Sequence, residues 1–299
     1  MAFDTVVLFL VSGAVFGSIL ALLSSGYSLV YGVGGIINLA HGAFYLLTAY
    51  MIFWFVDGAI LSYPLAIIVS LTLITIIGAI SYYILIKPTH KHSEIAVMIV
   101  TFALAFFIEQ GILMYEGAKV GELQAITLDP LIPGNFRFFG ALISYQDLLI
   151  LIVALSLLTL LILFIKKTKL GKSIRAVAQD KDAARLMGIN VHRILMITVA
   201  FSALLAGCAA MLYVPQTVVV PYDGWFYLLL AMSVVILGGM GSLPGSVIGA
   251  FIIAYARSFT FYFVDLEYGY QFTGIIHLAI ILLVLIIRPR GLLGKKQRL

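Results

Sequence analysis

Apolar residues in this chain run in long unbroken blocks, where a soluble helix would show one apolar stripe and a half-buried strand would alternate. Nine blocks stand out, at roughly 5–31, 36–56, 63–86, 94–115, 145–165, 194–213, 225–240, 246–264 and 271–287. A hydrocarbon core about 30 Å thick is crossed by about twenty helical residues at 1.5 Å each, so every block is a membrane-helix candidate. The pattern predicts an all-α integral membrane protein, a polytopic helical bundle of about 8–9 transmembrane segments in one transmembrane domain over residues 1–299. Its halves divide at 1–144 and 145–299.

Two places interrupt the pattern. Gly32-Val33-Gly34-Gly35-Ile36-Ile37-Asn38, followed by His41 and Gly42, separates the first two blocks, and Gly238-Gly239-Met240-Gly241-Ser242-Leu243-Pro244-Gly245-Ser246 divides 225–264. Glycine destabilises a helix interior and proline lacks the amide hydrogen a helix needs. Gly34, Gly35, Gly238, Gly239, Gly241, Pro244 and Gly245 therefore mark interrupted helices in both halves. Irregular backbone at membrane depth is tolerated where protein buries it or where it lines a wet cavity, and paired interruptions point to a transport path. Close helix packing is the alternative use of the same glycines.

Composition and charge sharpen this picture. With 63% apolar and 10% charged residues, against roughly 25% charged in a soluble domain, a water-soluble fold is excluded. The net charge of +5 gathers in three blocks, Lys87–His92, Lys166–Arg193 and Arg288–Arg298, which is a topology signal and no sign of nucleic-acid binding. The alternating connections carry Asp57, then Glu116, Glu122, Asp129 and Asp147, then Asp223, then Asp265 and Glu267. Retention of basic loops inside puts the N-terminus outside and the C-terminus in the cytoplasm, and the chain between Arg193 and Arg288 then crosses an even number of times; four passes fit. The start Met1-Ala2-Phe3-Asp4 lacks the basic region of a cleaved signal, so the first block is expected to remain as a helix. Cys208 is the only cysteine, which excludes disulfide and thiolate-metal chemistry. His90, His92 and His192 sit in basic turns and suit solvent or lipid headgroups; no catalytic or metal-binding constellation is present.

The connection 166–193 is too long and too patterned for a simple linker. Ile174, Val177 and Ala178 share one face, Lys172, Arg175, Gln179 and Lys181 lie elsewhere, and Ala183, Ala184, Leu186 and Met187 continue an apolar surface. Asp180 or Asp182 is placed to cap a second short helix of about two turns, and Gly188 to end it. Such a face needs cover, either from the membrane surface, with the lysines on lipid phosphates, or from a protein partner. Gly171-Lys172-Ser173 looks like the end of a phosphate-binding loop, but Lys166 stands where that loop needs a glycine, so the chain has no ATP site of its own.

These residues carry a resemblance. Gly171-x-x-x-Arg175-Ala176 followed by Asp180-x-x-Ala183-x-x-x-Met187-Gly188-Ile189 resembles the coupling-loop signature of permease subunits of branched-chain amino-acid ABC transporters. Tyr31-Gly32, Ile37-Asn38-Leu39-Ala40-His41-Gly42 and Tyr45 resemble the first-half pattern of the same family, and Gly238-Gly239-x-Gly241-Ser242-x-x-Gly245-x-x-x-Gly249 the second. The match spans most of the chain and is closer to the shorter, first-type permease of the pair. It implies a permease domain for leucine, isoleucine and valine with Gly171, Arg175, Asp180, Ala183, Met187 and Gly188 in ATPase coupling. It also implies two ATP-binding subunits that use ATP and magnesium, a second permease subunit and an extracytoplasmic solute-binding protein, with no cofactor on this chain. Permeases for urea, short amides and some sugars share much of the pattern.

Polar groups inside apolar blocks cost a few kcal/mol when ionised, so each is a site candidate. Asn38, His41, Glu109 and Gln110 are the candidates for a translocation path; His277 and Arg257 lie nearer block ends. In an ion-coupled carrier or channel, the alternative of a different class, Glu109 and His41 would instead be proton or cation sites.

Overall fold

The computed structural model describes residues 3–90, 93–120, 125–265, 272–288 and 291–294. His92, Glu122, Glu267 and most of the basic tail fall outside that set. A helix coincides with each of the nine apolar blocks. In chain order they are α1 (Phe3–Gly34), α2 (His41–Asp57), α3 (Tyr63–Ser81, prolonged by a π turn to Thr89), α4 (Glu94–Val120), α5 (Tyr145–Lys167), α8 (Val191–Tyr213), α9 (Asp223–Gly238), α10 (Leu243–Thr260, prolonged by a π turn to Asp265) and α11 (Thr273–Ile287). Between them lie the hairpin β1 (Asn135–Phe138) and β2 (Ala141–Ser144) and the loop helices α6 (Lys169–Gln179) and α7 (Lys181–Leu186).

Among the described residues six helices are long and apolar enough to cross a membrane: Phe3–Gly34, Tyr63–Thr89, Glu94–Gly117, Tyr145–Lys167, Val191–Gln216 and Leu243–Asp265. The sequence led us to expect 8–9. The three that fall short, α2, α9 and α11, have 17, 16 and 15 residues, about 22–26 Å of helix. Two of them flank the interruptions, and that shortening is what the glycines produce.

α1 is the central post. It is buried almost all round from Val15 to Val30, which is why its polar and apolar positions show no sidedness. It runs antiparallel to α10, with Gly13 against the Tyr255 ring and Gly17 against Phe251; a Cβ on Gly17 would lie 2.6 Å from that ring. Ser12 and Ser258 join their hydroxyls at 2.5 Å at one end of the pair, and Gly32 meets Gly241 at the other. The outer helices are inverted relative to a soluble fold. Ile68 and Ile76 on α3, Phe107 and Met114 on α4, and Ile152 and Leu160 on α5 are exposed, the surface that lipid rather than water would cover.

α1 continues unbroken through Ser24–Ser28 to Gly34, and Gly35 then takes φ +66°. Residues 35–40 turn back along α1, so α2 begins at His41 beside Leu23, eleven residues and about 16 Å before the α1 end. There Gly42 abuts Gly224 at the start of α9; a Cβ on Gly42 would lie 2.0 Å from the Gly224 carbonyl oxygen. The N-terminal ends of two short helices thus cross in the interior. At the far end of α9, Gly239 and Gly241 take φ +101° and +80°, Ser242 caps α10 by accepting the Gly245 amide at 3.2 Å, and Pro244 sits in the first turn, where no amide is needed. The amides of Leu292 and Leu293 donate to the Leu237 and Gly238 carbonyls at 2.8 and 2.9 Å, satisfying the end of α9.

Candidate translocation path and coupling surface

The loop helices form a rigid knob. Thr168 caps α6 by accepting the Gly171 amide at 2.9 Å, and Gly171 permits the chain to reverse: a Cβ there would lie 2.3 Å from the Phe164 carbonyl oxygen. Ile174 and Val177 bury the apolar face of α6. The cap of α7 falls on Asp180, not Asp182, with its Oδ1 accepting the amides of Asp182 and Ala183, both at 2.9 Å. Gly188 takes φ +79°, and the Ile189 amide closes back on the Ala184 carbonyl at 3.0 Å, a left-handed C-terminal cap. Ala184 is buried, whereas Ala183, Leu186 and Met187 point away from the bundle; Leu186 is 89% and Met187 82% exposed. Arg175 reaches the Lys166 carbonyl at 3.4 Å.

The knob is tied to the first interruption. Lys181 Nζ donates to the Gly34 carbonyl oxygen at 2.7 Å, on the last turn of α1. Burial lowers the Lys181 pKa, opposed by the nearby Glu94 carboxylate. Sequence reasoning had placed Lys181 only on the polar side of the loop; no spacing rule connects it to a residue so far away in the chain.

The four path candidates occupy three different environments. His41 is fully buried, its Nε2–H donating to the Leu23 carbonyl at 2.8 Å and its Nδ1 accepting from the Ser202 hydroxyl at 3.0 Å, so it binds α2 to α1 and α8. Asn38 turns its side-chain oxygen to the Ala40 amide at 3.1 Å, and its buried Nδ2 has no partner among the described residues. Glu109 is 5% exposed on α4 and accepts the Trp225 indole N–H; Gln110 lies on the exposed side of the same helix. The buried hydroxyls of Ser25, Tyr27 and Ser28 on α1 also lack partners among the described residues, and sequence reasoning did not single them out as site candidates. Among the described residues no group of His, Cys, Asp or Glu side chains is arranged to hold a metal.

Residues 9–286 match the family model described as branched-chain amino acid transport system / permease component. The chain belongs to this family. Among curated relatives, the permease protein BraD of Pseudomonas aeruginosa is 30% identical, over 96% of this chain and 95% of that one. The permease protein LivH of Salmonella typhimurium is 29% identical over 96% and 94%. The longer LivM permease of the same organism is 26% identical over 91% of this chain but 67% of its own length, so this family member is of the shorter type. A solved structure, PsaBC from Streptococcus pneumoniae in complex with Fab, has the same fold, with a TM-score of 0.52 at 15% identity over 94% of this chain and 92% of that one. The chain is thus a transport permease by family, and its glycine breaks, crossed short helices and knob are the features of this member.

Proposed function

We propose that this chain is the shorter of two permease subunits in an ATP-driven importer of branched-chain amino acids, with its N-terminus outside and the knob and C-terminus in the cytoplasm. The observation that carries the coupling part is the α7 tip: Leu186 and Met187 are held on a helix capped at both ends and stand bare of protein. A rigid apolar tip outside the bilayer suits a groove on another protein better than a lipid surface, where a longer amphipathic helix would lie flat. Two ATP-binding subunits, which use ATP and magnesium, would grip this tip and its copy on the partner permease. Arg175, Gly171 and Asp180 shape the knob, and Lys181 links it to α1. The relatives named as LivH and LivM support a second, different permease subunit; an extracytoplasmic binding protein would deliver the solute.

The path in this reading follows α1 and the crossing of α2 with α9, where α2 and α9 count as passes shortened by the breaks. The unpartnered polar groups of Ser25, Tyr27, Ser28 and Asn38 supply dispersed hydrogen-bonding positions, which a zwitterion can pass without tight binding. His41 and Glu109 hold the helices around that route.

The test is labelled leucine uptake by cells carrying this chain with its two ATPase subunits, second permease and binding protein. Gly188→Trp and Ala183→Asp should each cut uptake at least tenfold while the external protein still binds leucine. Undiminished uptake removes the coupling role. Uphill uptake with the ATPase subunits absent would establish an ion-coupled carrier instead.

A further inference from the structure

A cavity of about 250 Å³ lies among α1, α5, α8 and α10, at the end of the bundle opposite the knob. Its wall carries both signs of charge, Asp147 and Arg257, beside the apolar surfaces of Val15, Phe16, Ala254 and Phe261. The two charges are held apart. Asp147 belongs to the cap of α5, its Oδ2 accepting the Ser144 amide at 3.1 Å and its Oδ1 the Gln216 side-chain amide at 2.6 Å, which leaves each oxygen a free lone pair. The Arg257 guanidinium lies over the Phe16 ring, 4.2 Å from its centroid. Among the described residues the single ion pair is Arg185–Asp182, so Asp147 and Arg257 line one cavity without joining across it.

A guanidinium on a membrane helix with no acid partner among the described residues marks a site where something else can supply the anion. The planar fork of arginine matches a carboxylate, and a carboxylate with a free lone pair matches an ammonium. The volume holds on the order of eight waters at about 30 Å³ each, which is room enough for one free amino acid. A second cavity of about 250 Å³, lined by Leu8, Leu142 and Ile143, shares Ser12, Asp147 and Tyr262 with the first, so Asp147 is reached from two sides.

We propose that this cavity is a receiving site for a zwitterionic aliphatic amino acid, with its carboxylate on Arg257, its ammonium on Asp147 and its side chain against Val15, Phe16, Ala254 and Phe261. The proposal rests on the transport reading above and adds where the solute is first held. It also separates this substrate from urea and short amides, which bear neither charge.

The test is photolabelling of the purified transporter, without its binding protein, by a diazirine analogue of leucine, followed by peptide mapping. Label is expected on α1 and α10 peptides, competed by leucine and at least tenfold less by leucinamide, which lacks the carboxylate, or by 4-methylpentanoate, which lacks the ammonium. Arg257→Gln should lose the label at least tenfold and accept leucinamide as well as leucine, while Arg257→Lys retains part of it; a merely structural arginine would not change which analogue competes. Label elsewhere, equal competition by leucinamide, or displacement by phosphoethanolamine lipid but not by leucine overturns the site. Leucine uptake by the complete transporter is measured alongside. Intact uptake with label elsewhere refutes the cavity alone, whereas absent uptake refutes the transport reading itself.

Discussion

Trp225 donates its indole N–H to the carboxylate of Glu109, and Trp54 does the same for Glu116, seven residues further along α4. Seven residues are two helical turns, so both carboxylates face the bundle from one side of α4. The chain has two tryptophans, and each serves one of these buried acids. Removing one partner leaves the other buried and unsatisfied, at about 1–3 kcal/mol. Trp225→Phe should therefore lower the thermal unfolding midpoint of the purified protein, and Glu109→Gln, which keeps an acceptor, should lower it less. Adding Glu109→Leu to Trp225→Phe should recover most of the loss. Uptake by Glu109→Gln should keep its dependence on external pH; a transporter that lost it would make Glu109 a proton site.

The two interruptions touch at Gly32 and Gly241, where a Cβ on either would lie 3.0 Å from the other's Cα. Gly241 also takes φ +80°, which a side chain strains. Gly241→Val should cost more than Gly32→Ala, because it meets both the contact and the dihedral. We expect leucine uptake to fall at least tenfold for Gly241→Val and a few-fold for Gly32→Ala at equal membrane content, as scored by immunoblot.

Asp180 sits between α6 and α7 and caps the second helix with a single oxygen. Loss of such a cap costs about 1 kcal/mol. Asp180→Ala should weaken coupling, read as a few-fold drop in leucine uptake with the ATPase rate of the partner subunits less affected, and Asp180→Asn should restore it. Equal uptake by Asp180→Ala would show that the α7 tip does not need a fixed orientation.

The apolar blocks located the helices because a bilayer demands length and hydrophobicity, both written locally in the chain. The knob was legible for the same reason: Asp180 and Gly188 act on residues within a turn of themselves. Partners were not. The bonds of His41 to Leu23 and Ser202, of Lys181 to Gly34 and of Trp225 to Glu109 join residues that only the packed bundle brings together. Polarity within a block marked Glu109 and Gln110 equally, yet adjacent helical positions face different directions, and only one is buried. Block length alone also does not give helix length, since a glycine break shortens a helix without shortening the apolar run around it: among the described residues, six of the nine blocks carry a helix long enough to cross a membrane.

The corner beside the knob also fixes a pH response. His90 follows α3 and faces Lys181, Glu94 and His192, whose Nδ1 shares a hydrogen bond with the Tyr82 hydroxyl at 3.2 Å. Burial lowers its pKa from the ordinary 6.5; Lys181 acts in the same direction, Glu94 opposes it, and His192 adds to the lowering. Below about pH 6.5 the unfolded segment therefore binds a proton that the folded one still refuses, so stability rises with pH in that window and is lost on acidification. Thermal inactivation of the purified protein, followed from about pH 8 to about pH 5, should move to lower temperature on the acid side. His90→Gln should flatten that slope, and Glu94→Gln, which removes the opposing anion, should steepen it. An acid slope unchanged in His90→Gln would assign the response to other groups and leave this corner a passive joint.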